Sequence, residues 1–231
     1  MPARRFVVEL VARAPLSSRV DRLRFAAREP FVWEAGQHLV VVVARGQALF
    51  LPYSIASASD PRKPCEFELA VATHAGAQLM DTLPLGAELE VEGPAGSFTW
   101  QATPSPAALL VGVGTGIAPL RALIEAELAR ASDTRLLLLA GHRAPEDVLF
   151  ADDFARLAAQ HARFHFIPTI SGSDHGWLGK RGRVQAQLVE AVNALGPLDA
   201  YVCGRLDMVS EVVTALVAHG VPPARIRSEG F

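Results

Sequence analysis

The chain runs Ala107-Ala108-Leu109-Leu110-Val111-Gly112-Val113-Gly114-Thr115-Gly116-Ile117-Ala118-Pro119, an apolar stretch that passes through three spaced glycines toward a helix-forming segment. A buried strand that delivers a glycine turn to a helix start leaves backbone N–H groups unpaired at the positive end of the helix dipole, where an anion can sit. The spacing is G-x-G-x-G, one residue short of the dinucleotide fingerprint, and a tight turn that binds nothing needs glycines too. On this stretch alone both a phosphate cradle and a bare turn are open.

Outward from the turn, the same grammar repeats. Apolar strands at 107–113, 135–140, 164–170 and 200–203 are each followed by helical patterns, at 119–131, 145–162, 182–195 and 206–219. Alternating strand and helix predicts a doubly wound parallel sheet covered on both faces. Ligands of such sheets collect outside the carboxyl ends of the strands, which sets the glycine turn, Gly141-His142-Arg143, Ser171-Gly172 and Cys203-Gly204-Arg205 along one rim. Before residue 100 the pattern is different: short runs of alternating apolar and polar residues at 6–11, 38–44, 66–73 and 88–92, divided by Gly, Pro and Ser, predict an antiparallel barrel. The segment Gln101-Ala102-Thr103-Pro104-Ser105-Pro106 reads as a short stiff linker, so the expected domains are 1–101, an antiparallel β-barrel, and 102–231, an α/β domain.

Composition narrows the chemistry. The 231 residues carry 22 basic and 24 acidic side chains, a net charge of −2, without a long basic run, so nucleic acid is not an expected partner. No apolar stretch approaches the ~18 residues of a membrane span, and Arg4, Arg5, Glu9 and Arg13 interrupt the start, so the expected compartment is the cytoplasm. With only Cys65 and Cys203, an iron–sulfur cluster, a structural zinc and a disulfide framework are all excluded, and the seven histidines show no metal-ligand spacing. Any electron carrier must be an organic cofactor.

The order of motifs along nearly the whole chain resembles the ferredoxin–NADP reductase superfamily. Ala35-Gly36-Gln37-His38-Leu39 is similar to the family's A-G-Q-[YFH] strand entry, Leu51-Pro52-Tyr53-Ser54-Ile55-Ala56-Ser57 to its flavin motif R-x-[YF]-S-x-[AS]-S, and Gly93-Pro94-Ala95-Gly96-Ser97-Phe98 to its G-P-x-G-x-F turn. The glycine turn with Pro119 resembles the pyridine-nucleotide pyrophosphate site, Gly141 to Asp147 the segment near the cofactor ribose, Cys203-Gly204-Arg205-Leu206-Asp207-Met208 the C-G-P-x-x-M motif, and Glu229-Gly230-Phe231 the E-x-F ending.

The resemblance implies a flavin-dependent oxidoreductase: hydride passes from NAD(P)H to bound FAD, with FMN as the alternative flavin, and electrons go to a separate acceptor such as a ferredoxin, a flavodoxin, an oxygenase component or free flavin. It implies that Pro52, Tyr53 and Ser54 meet the flavin, Tyr53 as an aromatic platform and Ser54 as a hydroxyl near the reactive nitrogen. Gly76, Ala77 and Gln78 belong to the loop at the flavin pyrophosphate. Gly112, Gly114, Thr115, Gly116, Pro119, Arg143, Cys203, Gly204, Arg205 and Met208 serve the nicotinamide nucleotide. Ser54, Cys203 and Phe231 are the implied catalytic positions, with Glu229 close to the reacting ring. From its sequence surroundings alone Cys203 is equally an inert buried thiol.

Four departures temper this. Leu51 stands where the family places an arginine on a flavin phosphate, and Ala77 where many members have a serine; Arg22 and Arg24 are the candidate substitutes. Gly172 replaces the arginine that NADP-type members place after the strand-end serine, which favours NADH while Arg143, Lys180 and Arg181 keep NADPH open. Arg205 in place of the usual proline is reminiscent of reductases that use flavin as a substrate. Two alternatives follow: a reductase of free FMN or FAD, and a non-catalytic nucleotide-binding regulatory module.

Overall fold

The computed structural model describes residues 4–45, 47–73, 80, 82–173 and 176–231, with the side chains of 43–45 and 47–49 left aside. Residues Gly76, Ala77 and Gln78, implied to meet the flavin, lie outside the described residues, as does His175.

The chain folds as two domains, each built on a six-stranded sheet. In the first, β1 (Arg4–Ser17) and β2 (Val20–Ala27) form a hairpin, and β3 (His38–Arg45), β4 (Gln47–Ser54), β5 (Glu66–Ala72) and β6 (Glu88–Ala95) complete the antiparallel order β4-β3-β6-β1-β2-β5. The bridge between Ile55 and Leu69 brings the two edges together into a barrel. Alternate residues point inward: Val8 and Leu10, Leu23 and Phe25, Leu39 and Val41, and Phe67 and Leu69 are all buried in one core. Phe25, Phe31, Trp33 and Phe67 close it with ring centroids 4.8–6.4 Å apart.

In the second domain, β7 (Ala107–Val113), β8 (Arg135–His142), β9 (Phe164–Ile170), the two-residue β10 (Lys180–Arg181), β11 (Asp199–Gly204) and β12 (Ile226–Gly230) form a parallel sheet in the order β10-β9-β8-β7-β11-β12. Helices α1 (Ile117–Leu128) and α2 (Ala151–Gln160) cover one face, and α3 (Leu188–Leu195) and α4 (Leu206–Ala218) the other. The alternation along β7 shows why both faces are apolar: Ala108 and Leu110 join the α1 and α2 side, whereas Ala107, Leu109 and Val111 join the α3 and α4 side.

Helix α1 also packs on the barrel, where Val20, Ala35, Ala56, Ala70 and Phe98 share its apolar cluster. All of its residues except Glu125 and Ala126 are buried. The buried Arg121 is satisfied inside this seam: it donates to the Ala56 carbonyl at 2.7 Å and pairs with Glu68 at 2.9 Å, Glu125 at 2.8 Å and Asp153 at 2.9 Å.

Two helix expectations need correction. The stretch 145–162 is broken: Pro145–Asp147 is a single 3-10 turn, and Phe150, at φ 56, interrupts the chain before α2 starts at Ala151. The ring of Phe150 lies against the guanidinium groups of Arg22 and Arg121, at 5.0 and 4.8 Å, which holds this left-handed residue in place. In the stretch 182–195, α3 begins only at Leu188 after a 3-10 turn over Val184–Gln187.

Candidate functional site

β7 ends at Val113 and passes through one 3-10 turn, Gly114–Gly116, into α1. The three glycines have separate reasons. Gly114 adopts φ +54 with open space above it, so it makes the turn and leaves it accessible. Gly112 and Gly116 permit close packing: a Cβ at Gly116 would lie 2.4 Å from the Cys203 carbonyl oxygen, and one at Gly112 would lie 2.7 Å from Leu120 Cδ1. No side chain caps this turn or α1, and no acidic residue sits in the first turn of α1, so the N–H groups around Gly114, Thr115 and Gly116 and the helix dipole are not neutralised. Pro119 occupies the first turn, where its missing N–H costs no intrahelical bond.

The parallel register sets the ends of β9, β8, β7 and β11 side by side. At β8 and β9 the backbone is zipped: Ser171 donates from N and Oγ to the His142 carbonyl at 3.0 and 3.1 Å, and Gly172 N donates to the Arg143 carbonyl at 2.9 Å. A Cβ at Gly172 would stand 2.3 Å from that carbonyl, so the position is closed to any larger residue. Arg143 is exposed on the same rim.

Cys203 is fully buried, and burial, followed by the charge of Glu229, pushes its thiol far above the ordinary cysteine range. It is a neutral thiol, unsuited to nucleophilic chemistry. Glu229 lies opposite Cys203 in the β11–β12 register, and Gly230 opposite Gly204. Phe231 N donates to the Gly204 carbonyl at 3.1 Å, which anchors the last residue while leaving it 60% exposed. Arg205 forks onto Asp207 at 3.1 and 2.7 Å. Met208 is buried beneath Gly204, whose Cβ would meet its methyl group at 2.9 Å, so it supports the rim from below.

On the barrel side, Tyr53 and Ser54 end β4 in register with Leu39 and His38 of β3. Pro52 is exposed, and Tyr53 is half-buried, packed with Leu51 against the barrel core. The carbonyl of Ala56, two residues past Ser54, accepts the Arg121 bond, so the end of the β4 segment is tied to the helix that follows the glycine turn. Ser54, Cys203 and the glycine turn are thus carried by elements that meet along one seam.

These residues fit a nicotinamide nucleotide at the uncapped turn and a flat ring at Tyr53. The phosphate end of a flavin is served less well: Leu51 is apolar, and Arg22 is engaged elsewhere, with Asp153 and with Glu68 at 3.3 Å. Arg24 forms only a 3.8 Å ion pair from its buried Nε to Glu66, which accepts no hydrogen bond from it. Among the described residues no three His, Cys, Asp or Glu side chains gather as a metal site. Sequence reasoning gave His38 no role, although it opens β3 directly opposite Ser54; the histidine after the A-G-Q turn is the signal that points to it.

Comparison with known proteins agrees with this division. An oxidoreductase FAD-binding domain model matches residues 7–100, and an oxidoreductase NAD-binding domain model matches 110–214. Ferredoxin–NADP reductase B of Sorangium cellulosum is 35% identical over 98% of this chain and 97% of its own length. The reductase subunit of an aromatic O-demethylase from Amycolatopsis sp. is 31% identical over all of this chain and 70% of its own. An NAD(P)H-flavin reductase from Aliivibrio fischeri is 26% identical over 84% of both chains. Among solved structures, the Amycolatopsis reductase GcoB superposes with a TM-score of 0.88 at 28% identity, covering all of this chain and 70% of that one.

Proposed function

The chain belongs to the ferredoxin–NADP reductase superfamily, and from that premise we propose how its own residues carry the reaction. It is a flavoprotein reductase that takes a hydride from NAD(P)H onto FAD and passes electrons to a separate acceptor. Bound FAD accepts two electrons together and can return them singly, which is the chemistry that links a nicotinamide donor to a one-electron acceptor. We place the boundary between the FAD-binding and NAD-binding domains at residues 101 and 102.

The uncapped Gly114–Gly116 turn holds the nucleotide pyrophosphate through backbone N–H groups. Cys203, neutral and fully buried at the end of β11, packs its backbone against the glycine turn and so shapes the floor on which the nicotinamide ring is aligned. Tyr53 would support the flavin ring with its aromatic face, and Ser54 would offer its hydroxyl as a hydrogen-bond donor to the bound flavin. Phe231, anchored through its N–H to Gly204, shields the junction from water with an exposed ring. Arg143 and Arg205 line the rim outside the strand ends. The acceptor is a ferredoxin or an oxygenase component, as the names of the Sorangium and Amycolatopsis relatives suggest.

The observation that carries this reading is the uncapped glycine turn pressed against Cys203 with only a glycine's room between them. Steady-state oxidation of NADH and NADPH with FAD and ferricyanide tests it: sustained turnover is expected, and an inert protein would overturn the reading. A second reading, in which free flavin is reduced and released, is favoured by Leu51 and by the similarity to the Aliivibrio flavin reductase. It predicts a colourless purified protein that still turns over with added FMN or FAD; one flavin retained per chain would overturn it.

A further inference from the structure

Arg121 of α1 is 5% exposed, and each nitrogen of its guanidinium is engaged. Nη1 donates to the Ala56 carbonyl at 2.7 Å and to Glu68 at 2.9 Å, Nη2 meets Glu125 at 2.8 Å and Asp153 at 2.9 Å, and Nε donates to Asp153 at 3.1 Å. Glu125, one turn further along the same helix, makes the complementary contact: its Oε2 accepts from Ala58 N at 3.0 Å. Two side chains of α1 thus hold one short backbone segment by a carbonyl and by an N–H. The barrel pins the same segment from its other side. Ile55 N donates to the Gln37 carbonyl at 2.9 Å, Ala56 N to the Glu68 carbonyl at 2.7 Å, Trp33 Nε1 to the Ser57 carbonyl at 3.0 Å, and Glu68 N to Ser57 Oγ at 3.1 Å.

The grip sits between the two halves of the site. Ser54 precedes Ala56 by two residues, so at ~3.3 Å per residue of extended chain its backbone lies within roughly 7 Å of the Arg121 bond. In the other direction Arg121 follows Gly116 by five residues, roughly 7.5 Å along the helix axis at ~1.5 Å per residue. Gly116 is itself seated on the Cys203 carbonyl without room for a Cβ. A buried ion pair is weak evidence of a stabilising role, because apolar side chains of similar volume fill a core as well. What a planar guanidinium adds is direction, since its donors fix both the distance and the angle between α1 and the barrel segment.

We propose that Arg121, with Glu125, is a positioning clamp: through it α1 holds the segment that follows Tyr53 and Ser54 at a set distance from the nucleotide turn at its own N-terminus, keeping the two binding sites in register for hydride transfer. The catalytic consequence rests on the proposed reductase activity. Reacting atoms must approach to about 3–3.5 Å, and a misplacement of about 1 Å can cost on the order of a hundredfold in rate, so a clamp at this point acts on the rate rather than on affinity.

Amide hydrogen exchange is followed by NMR in the purified full chain without added cofactor, for the wild type, Arg121→Lys, Glu125→Ala and Arg163→Lys. Arg163 is the matched control, because it grips the far end of α1, donating to the Glu127 carbonyl at 2.7 Å and to the Thr134 carbonyl at 3.0 Å. Arg121→Lys keeps the charge and loses the fork, so exchange at Ile55, Ala56 and Ala58 should rise about tenfold or more; Glu125→Ala should raise it at Ala58, and Arg163→Lys should leave all three alone. The FAD-loaded proteins are then mixed anaerobically with saturating NADH or NADPH. Flavin reduction should slow about tenfold or more in Arg121→Lys with nucleotide and flavin Kd within about twofold of wild type, and should stay within about twofold in Arg163→Lys whatever its loss of Tm. Unchanged exchange in Arg121→Lys, an unchanged reduction rate there, or an equal slowing in Arg163→Lys would overturn the clamp. If Arg121→Lys does not fold, Glu125→Ala carries the same two readouts, and its failure to move either one counts against the clamp in the same way. A wild-type protein that leaves its flavin oxidised would overturn the reductase reading and with it the clamp's part in the reaction, while the exchange results would still decide the clamp itself.

Discussion

At position 51 a leucine packs on the barrel core where the family's pattern has an arginine, and at position 172 a glycine is pressed under a carbonyl where NADP-type members have one. These residues support different predictions. Leu51→Arg restores a charge-assisted contact worth about 1.5–3 kcal/mol, so the flavin Kd should fall about ten- to a hundredfold; an unchanged Kd by equilibrium dialysis would place Leu51 away from the phosphate. Gly172→Arg should not create NADPH selectivity, because its Cβ would first have to clear the Arg143 carbonyl at 2.3 Å. The expected result is a lower Tm without gain in the NADPH to NADH ratio of kcat/KM, and a clear gain would show that the rim yields. Gly172 was legible in the sequence as a departure, but the reason for it was not. The contact comes from the neighbouring strand, and no spacing within 171–172 encodes how closely β8 and β9 end together.

The helices show where local pattern gives way to tertiary contact. The glycine turn and α1 follow from one contiguous stretch, 107–119, in which strand, turn and helix start are consecutive, and such junctions are read well from sequence. The segment 145–162 carries a helical pattern throughout, yet Phe150 breaks it because Arg22 and Arg121, distant in sequence, clasp its ring from the barrel and from α1. The same cluster gives α2 its anchor, Asp153, which pairs with Arg22, with Arg121 at 2.9 Å and with Arg156 at 3.2 Å. Burial opposes its ionisation, but Arg121 and Arg22 outweigh that and hold its carboxyl below the usual range. A depressed carboxylate contributes stability that is present above its unfolded pKa and lost as pH falls through its folded one. Asp153→Asn, which leaves the arginines facing a neutral amide, should cost about 3 kcal/mol at neutral pH, and the deficit should shrink in acid; a loss that is constant with pH would contradict the ionic origin.

Across the whole molecule, helix α1 packs on both domains, and the proposed site residues lie on the elements along that seam. The motifs in the sequence revealed both domains and the rim because strand ends in a parallel sheet are forced to one side. They did not reveal the cluster around Arg121, whose partners Ala56, Glu68 and Asp153 come from both domains. Acid stability carries a second signature of the packed rim. Burial lowers the His142 pKa to about 4, against the hydrogen bond and charge of Asp147. The unfolded chain takes up this proton at a higher pH than the folded one, so stability rises with pH between the two values and is lost on acidification from roughly 6.5 downward. His142→Asn should flatten urea-derived stability over that interval, and an unaltered slope would assign the acid sensitivity elsewhere.

The most direct measurement of the central claim is the visible spectrum of the FAD-loaded protein under anaerobic addition of NADH and then NADPH. Hydride transfer from a nucleotide seated on the Gly114–Gly116 turn predicts rapid bleaching of the flavin band, slowed in Ser54→Ala while nucleotide affinity is kept. A flavin band that persists with both nucleotides in excess would contradict it.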